Sequence, residues 1–114
     1  MGEIADLRRR LREFAEARDW EQFHSPKNLA MALIVEAAEL VEHFQWMGEE
    51  DSLALEPLQR EEVAMEMADI FIYLLRLADR LDVDLGAAAW RKIEINEDRY
   101  PVESSRGKAG RPRD

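Results

Sequence analysis

The chain has 114 residues, no cysteine and a formal net charge of -9, with 46% hydrophobic and 36% charged residues. These values indicate one globular domain and exclude disulfides, thiolate catalysis and cysteine-based zinc sites. The acidic charge argues against nucleic-acid binding, and the longest apolar run is too short to span a membrane. We therefore expect a cytoplasmic protein that binds neither nucleic acid nor membranes.

The first two helices are predicted from helical spacing and from a start signal. Apolar residues three and four positions apart indicate an amphipathic helix over residues 3–19. Ser25 followed by Pro26 predicts the start of a second helix, because the hydroxyl can cap the helix and proline suits the first turn. We expect this helix to extend to about Trp46 and to stop before Gly48.

The second half of the chain predicts two more helices. Residues 48–57 are acidic and end in proline, so we expect a loop there. A third helix is predicted over residues 58–81. Asp84 is a candidate cap for a fourth helix over residues 85–98, which stops before Pro101.

Together these elements predict an all-α, four-helix bundle-like domain over residues 1–102. A basic C-terminal tail follows over residues 103–114, and we expect it to be either a flexible end or a flap that orders over the substrate phosphates. The run from Ile70 to Leu75 is apolar on every side of its helix, which is more surface than a four-helix chain of this size can cover. We therefore expect a homo-oligomer.

Two pairs of acids stand alone in the most apolar parts of the second and third helices. Glu36 and Glu39 are the only charged residues of one thirteen-residue stretch, and Glu66 and Asp69 of another. The spacing of three places each pair on one helix face, among apolar neighbours. Because neither stretch contains Lys or Arg, the pattern predicts either protonated acids or a bound cation.

The donor set favours a hard cation held between the two acidic helices. Four carboxylates without cysteine suit Mg²⁺ or Mn²⁺, whereas a di-iron site needs Glu-x-x-His on two helices, which the chain lacks. Mg²⁺ held by carboxylates usually takes further ligands from substrate phosphates. We therefore predict phosphoanhydride hydrolysis. The candidate metal ligands and catalytic residues are Glu36, Glu39, Glu66 and Asp69. A non-catalytic helical interaction module is the alternative.

Aromatic and polar residues flank the acids in sequence. Flat side chains near a metal favour a base-stacking pocket, although aromatic residues also cap bundle cores. The aromatic candidates, with one histidine, are Trp20, Phe23, His24, Trp46 and Tyr73. The polar candidates for phosphate binding and hydrogen bonding are Lys27, Asn28, Lys92 and Asn96.

The acidic motif carries a family resemblance. Glu-x-x-Glu followed, after 26 intervening residues, by Glu-x-x-Asp resembles the metal motif of the MazG-like nucleotide pyrophosphohydrolases. Two further segments resemble the dCTP pyrophosphatase branch of that superfamily, namely Asp19-Trp20-Glu21-Gln22-Phe23-His24 and Arg99-Tyr100-Pro101. The resemblance extends over roughly residues 7–107.

The resemblance implies Mg²⁺-dependent hydrolysis of dCTP or a modified dCTP to the monophosphate and pyrophosphate, as nucleotide-pool house-cleaning. Hydrolysis of dUTP or of a broad set of non-standard triphosphates is the alternative. The resemblance also implies a tetramer, a dimer of dimers, with sites completed by a neighbouring subunit. It assigns the nucleotide pocket to residues 20–24 (Gln22 among them), Trp46 and Tyr73. Animal members of the branch have His where Leu11 stands and Arg at Lys27, so base preference stays open.

Overall fold

The computed structural model describes residues 2–109 and contains no strand within them. Its four long helices are α1 (Glu3–Ala17), α2 (Pro26–Glu42), α4 (Pro57–Arg80) and α5 (Leu85–Arg99). The short elements are a 3₁₀ turn (Glu21–Phe23), α3 (Glu49–Ser52) and α6 (Val102–Ser105). The predicted all-α class is confirmed. None of the helices within the described range is both long and apolar enough to cross a bilayer.

The chain forms two compact units, residues 1–82 and residues 83–114. In the first unit, α4 packs against both α2 and α1. The buried apolar residues come from these three helices and are Ala15, Leu29, Val63, Leu75 and Ala78. The second unit contains α5 and α6. The predicted tail from residue 103 overlaps α6, and residues 110–114 of that tail lie outside the described residues.

The predicted helix starts are confirmed by their caps. The Ser25 hydroxyl accepts a hydrogen bond from the backbone N–H of Asn28 at 3.1 Å, with Pro26 in the first turn of α2. The Asp84 carboxylate accepts from the backbone N–H of Ala87 at 3.0 Å and caps α5. These side chains satisfy helix N–H groups that have no partner inside the helix.

Two of the predicted helix ends, those of α1 and α2, are wrong. Helix α1 ends at Ala17 because Asp19 has a left-handed backbone, with φ of 54°. Helix α2 ends at Glu42, four residues before Trp46, and tight turns follow. Gly48 does not stop α2 in a left-handed conformation. It has a φ of -75° and precedes α3, whose acidic first turn suits the positive end of a helix dipole.

Large apolar side chains remain exposed on α2 and α4 of the first unit. On α2, Met31 is 57% exposed and Ile34 is 64% exposed. On α4, Met67 is 57% exposed and Phe71 is 39% exposed. Each of the two helices therefore exposes more than one large apolar side chain.

Candidate functional site

The packing of α2 against α4 brings three of the four predicted acids together. Glu36, Glu39 and Glu66 each offer a carboxylate oxygen, and these oxygens all lie within 4.8 Å of one another. We call these three residues the acidic cluster. Asp69 is not part of this cluster but lines the adjacent cavity together with Glu36. The tertiary structure thus converts two separate sequence pairs into one group of oxygen donors.

The members of each sequence pair differ in exposure. Glu36 and Glu66 are half-buried, whereas Glu39 and Asp69 are exposed. Three helical residues turn through about 300°, so the second acid of each pair is displaced by about 60° around the helix from the first. Glu36 and Glu66 are therefore turned partly inward, whereas Glu39 and Asp69 are more accessible to solvent.

The electrostatics of the acidic cluster fit a divalent cation. Glu36 Oε2 and Glu66 Oε1 are buried and lack a hydrogen-bond partner among the described residues. Interaction with the Glu66 carboxyl, followed by burial, raises the pKa of Glu36 above its usual range. Interaction with the Glu36 carboxyl raises the pKa of Glu39. Crowded carboxylates with unpartnered oxygens are stabilised by a nearby positive charge, and an all-oxygen set suits Mg²⁺ or Mn²⁺.

An aromatic cavity of about 320 Å³ adjoins the acidic cluster. Helix α1 contributes Leu11 and Phe14 to the cavity wall. Two acids, Glu36 of the acidic cluster and Asp69, also line the cavity. Trp20 packs edge-on against the Phe14 ring, with ring centroids 5.7 Å apart. The cavity therefore joins a flat, apolar wall to a group of carboxylates, which are the two surfaces that a base and a metal-bound phosphate need.

Three residues of the predicted nucleotide pocket line this cavity, namely Trp20, His24 and Tyr73. Two other predicted residues serve the connection between α1 and α2. The Gln22 amide donates to the Asp19 carbonyl at 3.0 Å, and the Asn28 amide donates to the Phe23 carbonyl at 3.2 Å. Their hydrogen bonds hold the turn that carries Trp20 and His24.

The remaining predicted pocket residues of the first unit do not line the cavity. Phe23 is 60% exposed and Trp46 is 90% exposed, and Lys27 is also exposed. Lys92 and Asn96 lie on α5 in the second unit, the first exposed and the second half-buried. A sequence pattern shows which residues flank the acids along the chain but not which of their side chains turn inward.

A buried charged network behind the cavity was not predicted from the sequence. Arg76 is only 3% exposed, and its Nη1 donates to Asp79 at 3.0 Å. Its Nη2 donates to Glu21. Arg12 also donates to Asp79, at 3.0 Å from its Nε, and this hydrogen bond is the main reason that the pKa of Asp79 lies below its usual range. The available signal was the i, i+3 pair of Arg76 and Asp79 at the end of an apolar stretch.

The network contacts the cavity through one histidine. Arg76 Nε donates to Nδ1 of His24 at 3.4 Å, and both residues line the cavity. Burial and the neighbouring Arg76 charge lower the pKa of His24, and Glu21 opposes this shift. His24 is therefore held as a neutral imidazole at neutral pH.

Comparison with known proteins identifies the family. The sequence model of the MazG-like family matches residues 31–111. The chain belongs to the MazG-like family. The predicted family and MazG-type fold are thereby confirmed. A pyrophosphatase of known crystal structure from Archaeoglobus fulgidus DSM 4304 is similar to this MazG-like chain, with a TM-score of 0.83 and 39% identity. The match covers 89% of this chain and 94% of the archaeal one.

Curated relatives of this MazG-like chain carry the name dCTP pyrophosphatase 1. The protein from Bos taurus is 48% identical over 108 residues and the one from Rattus norvegicus is 46% identical over 108 residues. Each match covers 93% of this chain and 64% of the relative. The chain thus spans just under two thirds of the length of these relatives.

Proposed function

We propose that this MazG-like chain hydrolyses dCTP or a modified dCTP to the monophosphate and pyrophosphate, with Mg²⁺ or Mn²⁺ as cofactor. The observation that carries the proposal is the acidic cluster, with its two unpartnered oxygens, directly beside an aromatic cavity. The names of the curated relatives support dCTP as the substrate. The cytoplasmic location remains a prediction from the sequence.

In this proposal the acidic cluster binds the cation, and Asp69 supplies a further carboxylate at the cavity wall. When bound there, Mg²⁺ would neutralise charge on the triphosphate and favour attack by water. Glu39 is exposed at the edge of the cluster and is our candidate for the general base. One carboxylate oxygen of Glu39 lies with those of Glu36 and Glu66. We propose that this oxygen binds the cation and that the second oxygen accepts the proton from water.

The cavity walls support recognition of a pyrimidine base by stacking. Trp20 and Tyr73 present flat side chains, and Phe14 braces the Trp20 ring. Leu11 lines the same cavity and offers no hydrogen bond, so it contributes shape rather than polar discrimination. We therefore propose that selectivity between cytosine and uracil depends on the polar side chains of this cavity.

A panel of triphosphates tests the reaction and the substrate together. We expect dCTP or a 5-modified dCTP to be cleaved fastest, with monophosphate and pyrophosphate as products and no turnover when Mg²⁺ is removed by a chelator. Products are separated by ion-exchange chromatography. Preference for dUTP, or similar rates on many non-standard triphosphates, would support the alternative specificity. The interaction module is supported if no triphosphate is cleaved.

We also propose that the chain forms a homo-tetramer, a dimer of dimers in which a neighbouring subunit completes each site. A shallow groove on α2 and α4, lined by Leu40, Met67 and Phe71 among others, has an almost wholly apolar surface. Such a surface is stabilised when a second copy covers it. The archaeal pyrophosphatase shares this fold over nearly all of its length, which makes it a suitable reference for the assembly.

Replacing Phe71 by glutamate should dissociate the oligomer, because a charge would enter an interface that excludes water. Light scattering should give the mass of the tetramer for the wild type and a smaller species for the variant. Leu53 is 89% exposed and is not among the groove residues, so Leu53→Glu is the control and should leave the mass unchanged. A wild type that is monomeric at micromolar concentration would contradict the proposal.

A further inference from the structure

The protonation of His24 follows from the chemistry of its neighbour. Arg76 Nε lies 3.4 Å from His24 Nδ1 and donates to it. A guanidinium has five N–H donors, no acceptor and a pKa too high to lose a proton, so the nitrogen that faces it must carry a lone pair. The proton of a neutral ring is then on Nε2. In an imidazolium the Nδ1–H group would face the Nε–H group of Arg76, so the charged ring is disfavoured.

The Arg76 guanidinium, which selects this tautomer, is fixed in orientation. Arg76 is buried, and its three nitrogens bind three different partners: Nε binds His24, Nη1 binds Asp79 and Nη2 binds Glu21. The guanidinium is planar, so fixing two of these bonds fixes the direction of the third. Arg76 therefore presents Nε to the histidine ring in one orientation.

Arg80 and Trp20 also contact His24, the first at its backbone and the second at its ring. Arg80 Nε donates to the His24 carbonyl at 3.1 Å, and the Trp20 ring lies edge-on at 6.3 Å between centroids. Nδ1 of His24 accepts a hydrogen bond from Arg76, whereas Nε2 has no hydrogen-bond partner among the described residues. Nε2–H is therefore the polar group that His24 can offer to an occupant of the cavity it lines.

We propose that Arg76 is a positioning residue that holds His24 as the Nε2–H tautomer, so that the aromatic cavity offers a neutral hydrogen-bond donor to an acceptor atom of the nucleobase. The acceptor is a carbonyl oxygen or an unprotonated ring nitrogen. The identity of the ligand rests on the proposed function, whereas the tautomer rests only on Arg76 and its contacts. A neutral donor beside stacking side chains suits a base, since phosphates carry charge and are served by the metal site.

Nitrogen NMR of the histidines tests the tautomer without any substrate. The chain has only two histidines, so His24→Gln assigns the His24 signals and leaves His43 as an internal reference. At pH 7 we expect His24 to be protonated at Nε2 and unprotonated at Nδ1. Arg76→Lys should give a mixture of tautomers. Arg80→Lys is the matched control, because Arg80 also binds Glu21 but contacts only the His24 carbonyl, and it should keep the Nε2–H form. A wild-type ring protonated at Nδ1 would overturn the proposal.

A double-mutant cycle tests whether the Nε2–H tautomer of His24 contributes to binding of the nucleobase. Arg76→Lys should raise KM for the preferred triphosphate about tenfold and change kcat less than twofold, which is the effect of losing one hydrogen bond to a bound base. Glutamine at position 24 carries an amide N–H near the place of Nε2 and needs no tautomer. In the His24→Gln background, Arg76→Lys should therefore change KM less than twofold.

Equal effects of Arg76→Lys in both backgrounds would show that Arg76 acts only on the structure, and would overturn the positioning role. The wild-type NMR result stands even if Arg76→Lys fails to fold. Absence of turnover on every triphosphate, together with a wild-type Nε2–H ring, would contradict the proposed function and leave the tautomer intact. The two failures are thus distinguishable.

Discussion

Replacing Glu66 by alanine should lower the rate of pyrophosphate release by about 10²- to 10³-fold, on the scale of removing one group that stabilises transition-state charge. Glu66 is half-buried, and its side chain converges with Glu36 and Glu39. One of its oxygens is buried and has no hydrogen-bond partner within residues 2–109. Its removal deletes one of three converging donors from the proposed cation site. Circular dichroism should show that the helices are retained.

The matched control for this substitution is Glu62→Ala. Glu62 is an exposed acid on the same helix, and it is not part of the acidic cluster, so the control should keep full activity. Metal binding gives a second measurement. A cation at 100 times its Kd stabilises the native state by about 2.7 kcal/mol, so Mg²⁺ should raise the melting temperature of the wild type and of Glu62→Ala but not of Glu66→Ala. Full Mg²⁺-dependent activity in Glu66→Ala would refute the site.

Replacing Asp79 by alanine should destabilise the fold by about 3 kcal/mol, because it removes one of the two anionic partners described for the buried Arg76. The Asp79 side chain is 7% exposed and the Arg76 side chain 3%, and Arg12 and Arg8 also pair with the same carboxylate. Without Asp79, Arg76 retains only Glu21 as an anionic partner among the bonds described above. Urea unfolding at pH 7 measures the change.

An exposed ion pair provides the control for Asp79. Asp6 pairs with Arg9 at 3.4 Å on the surface of α1, with side chains 52% and 59% exposed. Surface pairs of this kind contribute about 0–1 kcal/mol, so Asp6→Ala should have a small effect. A change in unfolding free energy for Asp79→Ala no larger than that for Asp6→Ala would contradict a structural role for the network.

Lowering the pH should reduce the stability that Asp79 contributes to the fold. The pKa of Asp79 is lowered in the folded chain, first by its hydrogen bond from Arg12. The stability it contributes is therefore complete above the unfolded pKa of about 3.9 and is lost as pH falls through the lower folded pKa. The advantage of the wild type over Asp79→Asn should be largest at neutral pH and should shrink below about pH 4. Urea unfolding at pH 7 and pH 3 measures it.

Local signals in the sequence were sufficient for the helix starts and for the acidic pairs. Ser25 and Asp84 cap helices through backbone groups three residues away, so nothing distant in the chain is needed to recognise them. Glu36 and Glu66 were recognisable because each is a rare charge in an apolar stretch. The acidic motif also carried the family resemblance, which the match over residues 31–111 confirms.

The tertiary structure decided which of these residues meet. Packing of α2 on α4 places Glu39 within 4.8 Å of Glu66, while Asp69 remains at the cavity wall. In the sequence Arg76 resembles any other surface charge. In the structure it is buried and donates hydrogen bonds to His24 and Glu21, which lie 52 and 55 residues away along the chain. A helix period reports which residues share a face of one helix. Contacts across such separations depend on how the helices pack, and it is these contacts that make the cavity and fix its histidine.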